Sequence, residues 1–294
     1  MKKVIYNMAA LLMALPLTAT AQHFRINISE AHFTMPIMEK WVEEYHKVDP
    51  TFEVDFVSQR GESADVLVSI GNQQPGTASH TAVARYLILP IANASNDIIQ
   101  NKKVQKGLTP QLAKEIFIEK DLDELLDEDP AQNRLPGTVY TLTGSKATTT
   151  QLFAESLSST PSRLKGKKVL GREENVLTAV QNHADAVSFN VANLIYDLQS
   201  RQPVEGLYVF AVDLNNNGKI SEEERLATHD LDALTAFLEN SPSTTVPTGE
   251  VNIILNDGTA DKLNDFVQWI VREGQHYAAE YGYLKAQGLL TAQK

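Results

Sequence analysis

Arg25-Ile-Asn-Ile-Ser-Glu-Ala-His-Phe-Thr-Met-Pro-Ile-Met-Glu-Lys-Trp-Val-Glu-Glu-Tyr-His-Lys-Val-Asp-Pro50, followed by Phe52-Glu-Val-Asp-Phe-Val57, spells a strand, a helix and a second strand in succession. Arg25-Ile-Asn-Ile28 reads as a short strand. Pro36 stands at the favoured first helical position. Ile37, Met38, Trp41, Val42 and Tyr45 then recur at helical spacing until Asp49-Pro50 ends the helix. Phe52 to Val57 alternates as a strand does. Downstream, Ala64-Asp-Val-Leu-Val-Ser-Ile70 and Tyr86-Leu-Ile-Leu-Pro-Ile91 are apolar runs of the kind that form buried strands. Strands alternating with helices predict an α/β fold with a largely parallel sheet.

The pattern continues past Asn96. Thr109 is placed to cap a helix that opens at Pro110, and residues 121–129 form an acidic run best read as a solvated helix face. A strand over Val139 to Thr143 leads through a small polar turn into another helix start. Residues 206–212 alternate as a strand, residues 241–249 read as a Ser/Thr/Pro-rich connector, and Leu263, Phe266, Val267, Ile270 and Val271 mark a last helix. Trp41 and Trp269 lie on apolar helical faces and read as core, while His183 and His229 read as structural.

The first residues carry Lys2 and Lys3, an apolar run from Met8 to Leu17, and Ala19-Thr20-Ala21. That is the layout of a cleaved export signal over residues 1–21, too short for a membrane span. Export predicts a periplasmic or secreted location, with nothing embedded in a membrane. The chain has no Cys, which excludes both a lipid anchor on cysteine and a disulfide framework. Loss of the two lysines takes the formal net charge from −11 to about −13. This balance argues against nucleic acid or an anionic membrane as partner, yet leaves room for a small anion held by backbone N–H groups.

One stretch specifies a chemistry by itself: Asp213-Leu-Asn-Asn-Asn-Gly-Lys-Ile-Ser-Glu-Glu-Glu224. Asp213, Asn215 and Asn217 put oxygens at positions 1, 3 and 5 of a twelve-residue loop, and Gly218 permits the turn at position 6. Lys219 offers its carbonyl, Ser221 can act through water, and Glu224 can close the shell. Hard oxygen ligands at that spacing suit Ca²⁺. An ordinary polar turn before an acidic helix start is the other reading. Because a strand rather than a helix precedes the loop, a single structural brace is expected rather than a sensor. No nucleophile motif, metal-hydrolase His pair or phosphate-cradling glycine loop is present, so an enzyme is not expected.

The order of these elements resembles the phosphate ABC-transporter substrate-binding family, two-lobed periplasmic proteins of type II, in a Bacteroidetes-like variant with a calcium-type loop. The matching stretches are residues 31–41, Leu89-Pro-Ile-Ala-Asn-Ala-Ser-Asn96, residues 107–117, and above all Phe266-Val-Gln-Trp-Ile-Val-Arg-Glu-Gly-Gln-His-Tyr-Ala-Ala-Glu-Tyr-Gly-Tyr283. The resemblance implies lobe 1 from residues 22–90 plus 248–294 and lobe 2 from residues 91–247, hinged near Pro90 and Pro247. It also implies a phosphate or other oxyanion in the cleft and an ABC permease as partner. Carried over, the site takes His32, Phe33 and Thr34 from a first loop, and Gly61, Glu62 and Ser63 from a second. Asp65 would be the acceptor for a protonated oxyanion, with Gly144, Ser145, Lys146 and Thr148 in a third loop. Read for themselves, Asp65 could equally be a polar strand start, His32 a capping group, and residues 146–150 simple helix capping. Where the family has an arginine, this chain has Thr141 or Leu142, and its serine-glycine-threonine turn reads Ser145-Lys-Ala147. A Glu30-Ala-His32 run replaces the family's Gly-Ser-Thr. Two functions follow from that pattern: an oxyanion-binding transport protein, or a non-transport descendant serving as a calcium-stabilised envelope or surface interaction protein.

Overall fold

The computed structural model describes residues 22–71, 80–120, 135–144, 147–241, 243–256 and 261–286. The predicted signal (residues 1–21) and the acidic run (residues 121–129) lie outside them, as do Ser145 and Lys146. Strand β1 (Gln22–Asn27) leads through a 3-10 turn (His32–Thr34) into helix α1 (Met35–His46), and β2 (Phe52–Val57) returns parallel to β1. Strands β3 (Val66–Ile70) and β4 (His80–Asn93) follow, then α2 (Pro110–Phe117), β5 (Thr138–Thr143) and α3 (Thr148–Ser156). Next come β6 (Lys167–Leu170), α4 (Glu173–Asn182), β7 (Ala186–Val191), α5 (Ala192–Ile195) and β8 (Leu207–Val209). Helices α6 (Glu222–Ala227) and α7 (Leu231–Asn240), strand β9 (Thr248–Leu255) and helix α8 (Asp261–Arg272) complete the order.

The strands run β2-β1-β3-β9-β4-β7-β5-β6, with β8 on β4. Parallel pairs lie at the two ends, β1 with β2 and β3, and β5 with β6 and β7. The middle is antiparallel and rests on the long β4. From His80 to Leu87 it pairs with β9; from Ile88 to Ala92 it pairs with β7. At the change of partner, Ile88 N donates to Pro247 O at 3.0 Å. The whole is a mixed α/β sheet with flanking helices; the α/β alternation holds, but the antiparallel middle departs from the largely parallel sheet expected, because β9 and β7 both pair against the long β4.

Packing follows the apolar spacing. Helices α1 and α8 bury Trp41, Tyr45, Phe266 and Ile270 against β1 and β2, where Phe52 stacks on Phe266 with ring centroids 4.8 Å apart. Trp41 is buried as predicted, and its indole Nε1 donates to Gly274 O at 2.8 Å. A second aromatic group, Phe117, Phe153 and Phe189, sits under α2 and α3. Leu207, Leu214, Leu231, Leu234 and Leu238 form a separate cluster around α7.

Three expectations need correction. Residues 241–249 are not connector throughout, because Thr248 and Gly249 already belong to β9. Polar Glu250 and Asn252 disguise that strand's apolar content, and Gly249 is required where the Tyr86 ring lies against the backbone. The strand expected over residues 206–212 is only Leu207–Val209. Beyond Val209 the chain leaves β4 and pairs Val212 with Leu108 instead. Helix α1 begins at Met35, one residue early, because the preceding 3-10 turn feeds straight into it.

Candidate functional site

The carboxyl ends of β1, β2, β5 and β6 converge on one cavity of about 350 Å³. Open α/β sheets place ligands at that edge, where loops leave the strands and helices begin. Ser29, Glu30 and His32 come from the segment after β1, and Ser58 and Arg60 from the loop after β2. Across from them stand Leu142, Thr143 and Gly144 at the end of β5, Ala147 before α3, and Gly171, Arg172 and Glu173 at the start of α4.

Local bonding fixes these groups. Asn190 Nδ2 on β7 donates to Glu173 O at 2.8 Å, and Asn175 Oδ1 accepts from Arg172 N at 2.8 Å, so the first turn of α4 is held at both ends. Thr149 Oγ1 donates to Glu173 Oε1 at 3.1 Å. Burial, foremost, pushes the Glu173 carboxyl up, against the pull of its own backbone amide and of Thr149; Glu174 adds to the rise and Arg172 opposes it. His32 Nδ1 lies 3.4 Å from Glu174 Oε1, bridging the two sides of the cavity. Arg60 approaches Glu30 at 3.8 Å. Among the described residues the Arg172 guanidinium has no hydrogen-bond or ion-pair partner, and its charge lowers the Glu173 carboxyl.

Behind this wall lies a polar layer. Phe33 O accepts from Asn193 Nδ2 at 2.7 Å and from Tyr283 Oη at 3.1 Å, while the Phe33 ring meets Tyr86 edge-on at 5.2 Å. Tyr86 is 1% exposed, and among the described residues its hydroxyl has no partner; the Oδ1 of Asn193, the Oδ1 of Asn252 and the Oε2 of Glu174 share that condition. Buried oxygens are satisfied almost everywhere in folded proteins, so these four stand out. Burial drives the Tyr86 phenol up, with the Glu173 charge adding to it.

The predicted cleft residues separate. His32 lines the cavity, and Gly144 does too. Phe33 and Thr34, expected in an open loop, are buried in the 3-10 turn; the Thr34 hydroxyl donates to Ala31 O at 2.7 Å. Thr148 opens α3 and sets its methyl against Gly71 across the cavity's back. Gly61 and Ser63 are exposed in the loop beside Arg60 and do not line the cavity. Asp65 lies at the sheet: its Oδ2 accepts from Arg25 N at 2.8 Å, the use of a polar residue at a strand start. Thr141, at the position of the family's arginine, accepts from Lys168 Nζ at 3.1 Å on the next strand. Arg60, Arg172 and Glu173 were absent from the sequence candidates. The only sequence signal for the latter two is a glycine followed by charges, Gly171-Arg-Glu-Glu174, after a short strand.

The loop of residues 213–224 is organised around its two carboxylates. Asp213 Oδ1 accepts from Asn217 N at 3.1 Å and Oδ2 from Gly218 N at 2.6 Å. Glu224, fully buried, accepts from Leu214 N at 2.8 Å through one oxygen and from Ser221 N at 2.7 Å through the other. Asn216 at φ 58° and Gly218 at φ 79° supply the left-handed turns. Ser221 caps α6 by accepting from Glu224 N at 3.2 Å. Among the described residues, Asn215 Oδ1 is buried without a partner, and Asn217 Oδ1 accepts from Lys219 N at 2.9 Å. Neutral and acidic oxygens on one tight loop match the donor set of a hard cation.

No protein-family model matches the sequence, and no curated protein matches it either. Solved structures do. One is a Clostridium perfringens protein assigned as a phosphate ABC transporter substrate-binding protein, with bound phosphate. It is 15% identical, with TM-score 0.61 over 90% of this chain and 100% of that one. An ABC-type phosphate transport receptor from Vibrio cholerae is 13% identical, with TM-score 0.52 over 89% and 99%. The sulfate-bound regulatory domain of an OxyR2 mutant from Vibrio vulnificus is 9% identical, with TM-score 0.50 over 85% and 95%. These likenesses establish a two-lobed periplasmic-binding-protein fold.

Proposed function

We propose that the chain is a periplasmic solute-binding protein of the phosphate-binding type, exported by residues 1–21, which captures a small anionic ligand between two lobes for an ABC permease. Lobe 1 would comprise residues 22–90 and 248–294, and lobe 2 residues 91–247. The observation that carries this reading is the cavity at the carboxyl ends of the parallel strands, with Arg60 on one side and Arg172 on the other. Two arginine forks and the starts of α3 and α4 offer an anion charge-assisted donors. The linked crossings at Ile88 and Pro247 support a hinge there. No helix among the described residues is long and apolar enough to cross a membrane.

The reading includes a structural Ca²⁺ at residues 213–224, held by Asp213, Asn215, Asn217, the Lys219 carbonyl, Ser221 and Glu224. The orphaned Asn215 Oδ1 supports it. Titration calorimetry with phosphate, sulfate and other small oxyanions tests the cleft: heat and a raised melting point are expected, and silence from every oxyanion would count against a ligand site for them.

One observation favours the second reading, a non-transport descendant acting as a calcium-stabilised envelope or surface interaction protein. Glu173 brings a carboxylate into the place where an oxyanion would sit. Under that reading no small anion gives heat, while Ca²⁺ still raises the melting point.

A further inference from the structure

The cavity is roomier and more mixed in charge than a bare tetrahedral oxyanion requires. Such an ion displaces on the order of 100 Å³, the share of about three waters in the liquid. The cavity holds about 350 Å³, inside the range that organic ligands occupy. Its charges come in both signs. Arg60 and Arg172 face it, but so do Glu30 and Glu173. Glu173 is fastened in place by Thr149 and by the backbone anchor from Asn190. A doubly charged anion beside that carboxylate meets repulsion that the arginines must first offset.

Both signs are satisfied by one kind of ligand. We infer that the cleft is built for a small organic zwitterion, an anionic head joined by a short chain to a protonated amine, rather than for a free inorganic oxyanion. This rests on reading the cleft as a ligand site. The head takes the Arg172 guanidinium, unpartnered among the described residues, with Arg60 from the opposite side. The amine takes the Glu173 carboxylate. Burial, the largest of the effects that push that carboxyl up, is then countered by the incoming ammonium, so the amine and the ionised Glu173 stabilise each other.

Titration calorimetry on the purified full chain, with matched pairs differing only in the amine, tests this. The pairs are 2-aminoethylphosphonate with ethylphosphonate, taurine with ethanesulfonate, and β-alanine with propionate; inorganic phosphate is the reference. In at least one pair the amine-bearing member is expected to bind at least tenfold more tightly than its partner and than phosphate. The pair that responds identifies the head group. Glu173→Gln should cut that preference below threefold, and the exposed Arg172→Ala should weaken binding of the preferred probe at least tenfold. Unchanged preference in Glu173→Gln, in a variant melting within 2 °C of the parent, would overturn the inference. If phosphate or an amine-free probe binds as tightly as any zwitterion, the inference falls and the cleft remains a ligand site. If no probe gives heat, the reading of the cleft falls along with it.

Discussion

The loop at residues 213–224 and the cavity hold their polar atoms in opposite ways. In the loop, each carboxylate oxygen already accepts an amide from within twelve residues of chain, and Asn215 Oδ1 is left without a partner among the described residues. In the cavity, charges from four distant segments face one another at long range, with Arg60 and Glu30 3.8 Å apart and His32 and Glu174 3.4 Å apart. A locally closed network is rigid before any ligand arrives. A network assembled by tertiary contacts has slack, and a partner that fills it can move the elements that carry it. The difference teaches that the loop suits bracing and the cavity suits binding.

The sharpest way to break that contrast is at Glu224. Glu224→Ala leaves the amides of Leu214 and Ser221 without partners in a buried place and removes half a capping box. We expect a loss of about 3 kcal/mol, a fall in melting temperature of roughly 6–12 °C. A loss below about 1 kcal/mol by urea denaturation would mean that the loop braces nothing.

Calcium comes next. At a hundredfold excess over its dissociation constant the ion should add about 2.7 kcal/mol, readable as a melting shift that a chelator reverses. Asn215→Ala separates metal from fold: its Oδ1 has no partner among the described residues, so the calcium-free stability should move by less than about 0.5 kcal/mol while the calcium shift shrinks. Equal calcium shifts in parent and variant would remove Asn215 from the ligand set.

Arg172→Ala addresses the other region. The side chain is exposed and unpartnered among the described residues, so the melting point should hold while affinity for the cleft's ligand drops at least tenfold, about 1.4 kcal/mol. Unaltered affinity would place the anionic head elsewhere.

The smallest effect concerns pH. Burial raises the Glu173 carboxyl, with Glu174 also raising it and Arg172 lowering it. A carboxyl raised in the fold favours the folded state below its unfolded value, and that stability is lost as pH climbs through the folded value. In the ligand-free protein Glu173→Gln should therefore gain on the order of 1–3 °C at pH 8 and nothing near pH 4. A gain independent of pH would point to packing rather than charge.

Much of the fold was legible. Pro36 and Pro110, the helical spacing of Trp41 and Tyr45, and the run from Tyr86 to Ile91 each report a local preference that the tertiary structure kept. Strand β9 was not legible, because Glu250 and Asn252 break its apolar pattern and its partners, β3 and β4, are over 150 residues away. The cleft was legible only at His32 and Gly144. Asp65 and Thr34 carry the right chemistry at plausible positions, but the sheet edge and the 3-10 turn take their hydrogen bonds. Nothing around Arg60 or Arg172 announces that the two share a cavity.

The sequence by itself determined the alternation of strands and helices and the oxygen-rich loop, since both depend on neighbours within a few residues of one another. Only the tertiary structure decided where β4 changes partner, which of the candidate residues reach the cavity, and that a glutamate stands there with the arginines. Those facts depend on segments brought together by burying apolar surface, a non-directional force that leaves no local signature at the polar residues it happens to juxtapose.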